Sequence, residues 1–149
     1  MICIARSDSF GNVSTNNNGI NIKSDQSCGG KVQQVTYVNT CMTGVKHLLT
    51  FNTSFGSCSG TKGTPQYTDI VVNGVLTKSS QSGAFSEFDG FSSSAPLGLT
   101  LENVDLDVTA EKTTQNATIG LFNSNIKPSG SNVSTFTVTG SGSVPTCSF

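Results

Sequence analysis

Ile70-Val71-Val72-Asn73-Gly74-Val75 decides the fold, because its outline returns elsewhere in the chain. Val35-Thr36-Tyr37-Val38-Asn39-Thr40 precedes it and Leu99-Thr100-Leu101-Glu102-Asn103-Val104 follows it. All three read apolar-x-apolar-x-(Asn or Gly)-x, headed by Val35, Ile70 and Leu99, with the second interval somewhat shorter than the first. Alternation with period two marks a half-buried strand. Asn and Gly tolerate left-handed dihedrals, so each strand is expected to bend at that residue. Short strands with a turn residue at a fixed offset form the signature of a stacked solenoid.

Second strands fill the intervals: Leu48-Leu49-Thr50-Phe51, then Ala84-Phe85 with Phe88, then Ile119-Gly120-Leu121-Phe122. An earlier one, Gly19-Ile20-Asn21-Ile22-Lys23-Ser24-Asp25, alternates Ile20 and Ile22 with Asn21 and Lys23. Its outward face carries an amide and an ammonium, which suits a polar, anionic ligand. A further alternating strand runs from Val133 to Val138. A parallel β-helix accounts for these features. The competing β-sandwich also uses short strands, but it needs tight hairpins, and Asn73-Gly74 is the one good candidate. Asn39-Thr40 and Asn103-Val104, at the matching places, make poor type I′ turns.

At 149 residues the chain has the length of one domain able to bury a core. Eight Lys and Arg against nine Asp and Glu leave a net charge of −1, without a basic run, so nucleic acid is not expected as a partner. No apolar run is long enough for a transmembrane helix, and no membrane association is expected. Ser, Thr, Asn and Gly abound while Trp is absent, a composition that favours an all-β, extracellular, sugar-facing protein. Asn12, Asn52, Asn116 and Asn132 each head an Asn-x-Ser/Thr glycosylation signal.

Cys3, Cys28, Cys41, Cys58 and Cys147 lack zinc-site spacing, and His47 is the lone histidine, so neither a metal nor another cofactor is expected. Disulfides in an oxidising compartment fit better, with the odd count leaving one cysteine unmatched. Met1-Ile2-Cys3-Ile4-Ala5-Arg6 is too short and too soon polar for a signal peptide, so the secreted-looking chain reads as a fragment. The acidic pairs Asp105 with Asp107 and Glu87 with Asp89 read as solvated surface, and His47 reads as structural.

Several segments in order resemble the C-terminal third of the polygalacturonases of glycoside hydrolase family 28. They are Gly19 to Asp25, Val32 to Met42, Lys46-His47-Leu48-Leu49-Thr50-Phe51-Asn52-Thr53-Ser54-Phe55, Pro65-Gln66-Tyr67-Thr68-Asp69-Ile70 and Leu99 to Leu106. The resemblance covers roughly residues 17 to 108 and implies a right-handed parallel β-helix of the pectin-lyase-like kind. It also implies inverting hydrolysis of α-1,4-galacturonan, with polygalacturonate or pectin as partner. The family's catalytic Asn-Thr-Asp, Asp-Asp and Gly-His-Gly motifs are not in this sequence, so no catalytic residue is assigned.

The family's Arg-Ile-Lys element, which binds the substrate carboxylate, reads Asn21-Ile22-Lys23 here. Lys23 keeps the cation; Asn21 replaces a charged fork with a neutral amide. A family tyrosine that shapes the substrate site corresponds to Phe55, which keeps the ring without the hydroxyl. Asn52 stands where relatives often carry Asp. The resemblance thus assigns substrate binding to Lys23, Asn21 and Phe55.

One partial β-helix domain over residues 1–149 is expected, with a divergent start (1–16), family-like coils (17–108) and a C-terminal coil and tail (109–149). The leading functional reading is the C-terminal part of a secreted pectin hydrolase, binding galacturonan but inactive alone. The alternative is a non-catalytic β-helix protein that binds polysaccharide or protein; the third is an unrelated extracellular sandwich of structural or adhesive role. A solenoid end needs a cap, which Met1 to Phe10 would have to supply, so self-association through an uncapped N-terminal coil is also expected.

Overall fold

The computed structural model describes residues 2–3, 6–7, 11–14, 17–56, 59 and 63–149, with side chains from residue 14 onward. Eleven strands follow one another among them: β1 (Ile2–Cys3), β2 (Arg6–Ser7), β3 (Gly11–Ser14), β4 (Asn18–Asp25), β5 (Cys28–Thr43) and β6 (His47–Gly56). After these come β7 (Gly63–Lys78), β8 (Phe85–Asp89), β9 (Leu97–Asp105), β10 (Glu111–Ser124) and β11 (Ser131–Thr137). Every pairing between these strands is parallel. Parallel neighbours cannot be joined by a two-residue hairpin. Accordingly β7 continues through Asn73-Gly74 without a hairpin, and the sandwich reading falls.

The strands stack in two rows that wrap one axis, the parallel β-helix expected. The first row is β5–β7–β9, then the second half of β10, then β11. Its register joins Val35 to Ile70, Ile70 to Leu99 and Leu99 to Ile119. The intervals between the sequence repeats are therefore the lengths of successive coils, and the coil from Leu99 to Ile119 is the shortest of the three. The second row is β4–β6–β8, then the first half of β10. Contrary to expectation, Ile119 to Phe122 is a fourth copy of the first-row unit and not a second-row strand, because Ile119-x-Leu121-x-Asn123 continues the same pattern in register with Leu99.

Inward side chains form continuous ladders. Val35, Ile70, Leu99 and Ile119 are all buried, and Val72 and Leu101 stack beside them. In the second row Phe51 and Phe88 stack at 6.4 Å between ring centroids with planes 14° apart. Removing such side chains from water supplies about 25 cal/mol per Å² of apolar surface. Each coil is thus held by the next one rather than by its own contacts.

One set of bends comes from a left-handed ladder. Asn39 (φ 51°), Gly74 (φ 82°), Asn103 (φ 53°) and Asn123 (φ 46°) occupy equivalent places in successive coils. Asn123 Nδ2 donates to Asn103 Oδ1 at 2.8 Å, and Asn103 Nδ2 donates to Asn73 Oδ1 at 2.9 Å. Gly74 is required where it stands, since a Cβ there would lie 2.8 Å from Asn39 Oδ1. Asn116 and Asn132 form a second such pair, with Asn132 Nδ2 on Asn116 Oδ1 at 3.0 Å.

After β11 the chain runs back along the first row as a strap. Val138 N donates to Leu121 O at 3.1 Å, Asn103 Nδ2 donates to Ser141 O at 2.9 Å, and Cys147 is bonded to Cys41. Cys28 is also disulfide-bonded. Cys58 and the side chain of Cys3 lie outside the described residues, as does most of the Met1 to Phe10 cap. The backbones of β1, β2 and β3 nevertheless lie along the free edge of β5.

Candidate functional site

Lys23 and Asn21 both lie on the outward face of β4, because Ile20 and Ile22 take the inward positions. The second row brings other polar residues beside them. Asn21 registers with Thr50, which registers with Glu87, which registers with Thr113. Lys23 leads likewise to Asn52, Asp89 and Gln115. The face is thus a grid of amides, hydroxyls and carboxyls with a lysine at one edge.

Lys23 Nζ sits 4.2 Å from the centroid of the Phe55 ring. Phe55 is 61% exposed, so this pair stands open to solvent rather than serving the core. A cation over an exposed ring attracts carboxylates, and the ring offers a flat apolar surface. Asn21 turns sideways instead, its Nδ2 donating to Asn18 Oδ1 at 3.0 Å. The fold therefore brings Lys23 and Phe55 together in space, while Asn21 sits beside them with its amide engaged.

The carboxyls Glu87 and Asp89 depart from the expectation of solvated surface. Glu87 is 9% exposed and Asp89 5%. Flanking strands on both sides wall them in. Asp89 Oδ1 accepts from Gln115 Nε2 at 2.8 Å. Burial pushes the Asp89 carboxyl above the usual carboxylate range, with the Gln115 bond opposing and neighbouring Glu87 adding to the rise. Thr50 Oγ1, in register with Glu87, is buried without a hydrogen-bond partner among the described residues.

His47 also lies on this face. Its Nδ1 is 3.1 Å from Asn18 Oδ1, and its ring meets Phe85 at 4.7 Å between centroids. Burial lowers its pKa, helped by the ammonium groups of Lys23, Lys46 and Lys112, with Glu87 opposing. Lys112 Nζ lies 5.4 Å from the Phe85 centroid. None of His47, Phe85 and Lys112 was assigned a binding role from sequence. Stacking the second-row strands in register was the one signal able to unite them.

The remaining candidates serve other ends. Asp107 accepts from Thr77 Oγ1 at 2.5 Å and from Ser80 N at 2.8 Å. Burial opposes its ionisation, but these bonds outweigh it and hold the carboxyl below the usual range. Asp105 is exposed and accepts from Asn125 Nδ2 at 2.8 Å. Asn52 is 7% exposed with Oδ1 accepting from Ser54 N at 2.7 Å. Asn116 Nδ2 donates to Gly90 O at 3.3 Å, whereas Asn132 is exposed. The side chain of Asn12 lies outside the described residues. A cavity of about 160 Å³ is lined by Lys23, Ser24, Gly29, Lys31, Val32 and Tyr67, among others.

Comparison with known proteins gives the same direction. The family described as Glycosyl hydrolases family 28 matches over residues 9–144. A polygalacturonase of Ralstonia nicotianae is 38% identical over 104 residues, covering 66% of this chain and 19% of that protein. One from Ralstonia solanacearum is 36% identical over 104 residues, covering 66% and 20%. The chain thus spans about a fifth of the length of each relative. No solved structure matches.

Proposed function

The chain belongs to glycoside hydrolase family 28, and from that premise we propose that it is the galacturonan-binding, C-terminal part of a secreted polygalacturonase-type hydrolase. The observation that carries this reading is the open Lys23–Phe55 pair at 4.2 Å on a polar sheet face. A uronate carboxylate would pair with the ammonium while an apolar sugar face lies on the ring. The relatives' name, polygalacturonase, supports galacturonan as the polymer. The Cys41–Cys147 disulfide supports an oxidising, extracellular setting.

Inverting hydrolysis needs an acid and a base about 6.5–9.5 Å apart on opposite sides of the scissile bond. In this chain Asp89, Asp105 and Asp107 are engaged by Gln115, Asn125, and Thr77 with Ser80. The lack of the family's Asn-Thr-Asp, Asp-Asp and Gly-His-Gly motifs in this sequence supports a chain that binds without cleaving. The alternative, a binding protein with no catalytic partner sequence, is favoured by the Asn21 amide being turned to Asn18. Calorimetric titration with oligogalacturonate, beside a reducing-sugar assay, tests the proposal. Binding that Lys23→Ala weakens at least about tenfold, without sugar release, is expected. Binding indifferent to Lys23 refutes the reading, and sugar release refutes its inactive part.

A further inference from the structure

We infer that Lys112, Phe85 and His47 form a second uronate subsite on the same face, so that a single galacturonan chain is gripped at both ends of the second row. This rests on the proposed galacturonan binding and extends it. The three side chains come from β10, β8 and β6, and nothing about their sequence positions links them. They repeat the chemistry of the first grip: a lysine near an aromatic ring, 5.4 Å against 4.2 Å, on a partly exposed surface. The neighbouring His47 ring, 4.7 Å from Phe85, widens the platform on which a sugar face can lie. His47 Nδ1 is fixed by Asn18, which holds the ring in place.

The two grips are well separated. β4 and β10 are three strand positions apart, which at about 4.8 Å each amounts to about 14 Å. Gln115 is in line with Lys23 through Asn52 and Asp89, and Lys112 lies three residues before it, adding about 10 Å along the strand. The backbones at the two lysines are then about 17 Å apart on the diagonal. A disaccharide reaches one of them; a hexasaccharide reaches both. Between them Glu87 and Asp89 of β8 and Thr50 of β6 are buried, so a bound chain passes over them. The two acidic side chains beneath disfavour a third carboxylate there, which confines the ligand's recognised carboxylates to the two ends. Linking two weak contacts through one ligand raises affinity well beyond either alone.

Titrating the 149-residue chain with digalacturonate and hexagalacturonate separates the cases. Lys112→Ala, at an exposed position, is expected to weaken hexagalacturonate at least about fivefold and leave digalacturonate unchanged, with Lys112→Arg restoring affinity. Phe85→Leu, which keeps apolar bulk, should weaken the hexamer likewise. If Lys23→Ala weakens the hexamer and Lys112→Ala does not, the second subsite is wrong while galacturonan binding stands. If neither substitution matters, or the hexamer does not bind, both fail. Equal weakening of the dimer and hexamer by Lys112→Ala also overturns the inference, since it would place Lys112 in the first grip.

Discussion

Breaking the Cys41–Cys147 bond should cost this fold several kcal/mol, and the magnitude follows from where the bond sits. It joins residues 106 apart in sequence. For a loop of that length, chain entropy alone gives about 4.8 kcal/mol at 25 °C. Set against the roughly 5–15 kcal/mol typical of a domain, that is a large share of the whole. Unfolding entropy scales as about 2.1 cal/mol/K per residue, so a chain of this length should lose about 15 °C in Tm. Other contacts of the strap soften the effect locally but do not replace the link. Val138 N on Leu121 O and Asn103 Nδ2 on Ser141 O act along short stretches. Cys147→Ser, followed by guanidinium unfolding without reductant, measures the loss, and the same titration of the parent chain gives the reference. A loss of about 3–5 kcal/mol is expected. A loss under about 1 kcal/mol would refute the reasoning, because the strap would then be an ornament that frays without loosening the coils.

Three further outcomes are expected. Asn103→Ala removes the bonds to Asn73 and Ser141 and the one accepted from Asn123, costing about 2–4 kcal/mol; Asn103→Gly should be milder by about 1 kcal/mol, because it keeps the left-handed backbone free of strain. Denaturant midpoints of the two variants give the difference. The Asp89 carboxyl is raised in the folded chain, so the folded state holds its proton longer than the unfolded one. Stability should therefore fall as pH rises through the carboxylate range and stay reduced above it. Asp89→Asn should remove that slope and raise Tm at neutral pH, as thermal scans from acid to neutral pH would show. Lastly, the outer edge of β4 has no partner strand among the described residues, so sedimentation of the purified chain should reveal concentration-dependent association; a strictly monomeric profile would refute it.

The fold was legible because its repeat is written in chemistry that sequence exposes. A left-handed corner admits Asn or Gly, and the apolar positions two and four residues before it point inward. Val35, Ile70 and Leu99 declare the pattern, and their spacing is the observed register. The fourth copy at Ile119 escaped because its coil is shorter than the two before it, which broke the expected rhythm. The site was less legible. Lys23 was marked by the alternation of β4 and by a family resemblance, Phe55 by the resemblance alone. Glu87 and Asp89 were misread because a strand pattern reports which way a side chain points and not what flanks it. On β8 those flanks are Thr50 and Asn52 on one side and Thr113 and Gln115 on the other, and together they bury both carboxyls. His47 and Phe85 stand far apart in the sequence and meet only once β6 and β8 are aligned.

The two rows divide the work between stability and recognition. The strap's contacts with Cys41, Lys78, Asn103 and Leu121 fall on β5, β7, β9 and the second half of β10, all in the first row. The corner amides there are spent on one another: Asn73, Asn103 and Asn123 hydrogen-bond along the stack. The second row carries the exposed cation–ring pairs, Lys23 with Phe55 and Lys112 with Phe85, and the Thr50 hydroxyl has no partner among the described residues. A polar group left unsatisfied under a surface costs stability unless a ligand or water completes it. A fold that fastens one side with amides, a strap and a disulfide can carry such a face on the other. For that reason the sugar-binding experiments belong on the second row, and the stability experiments on the first.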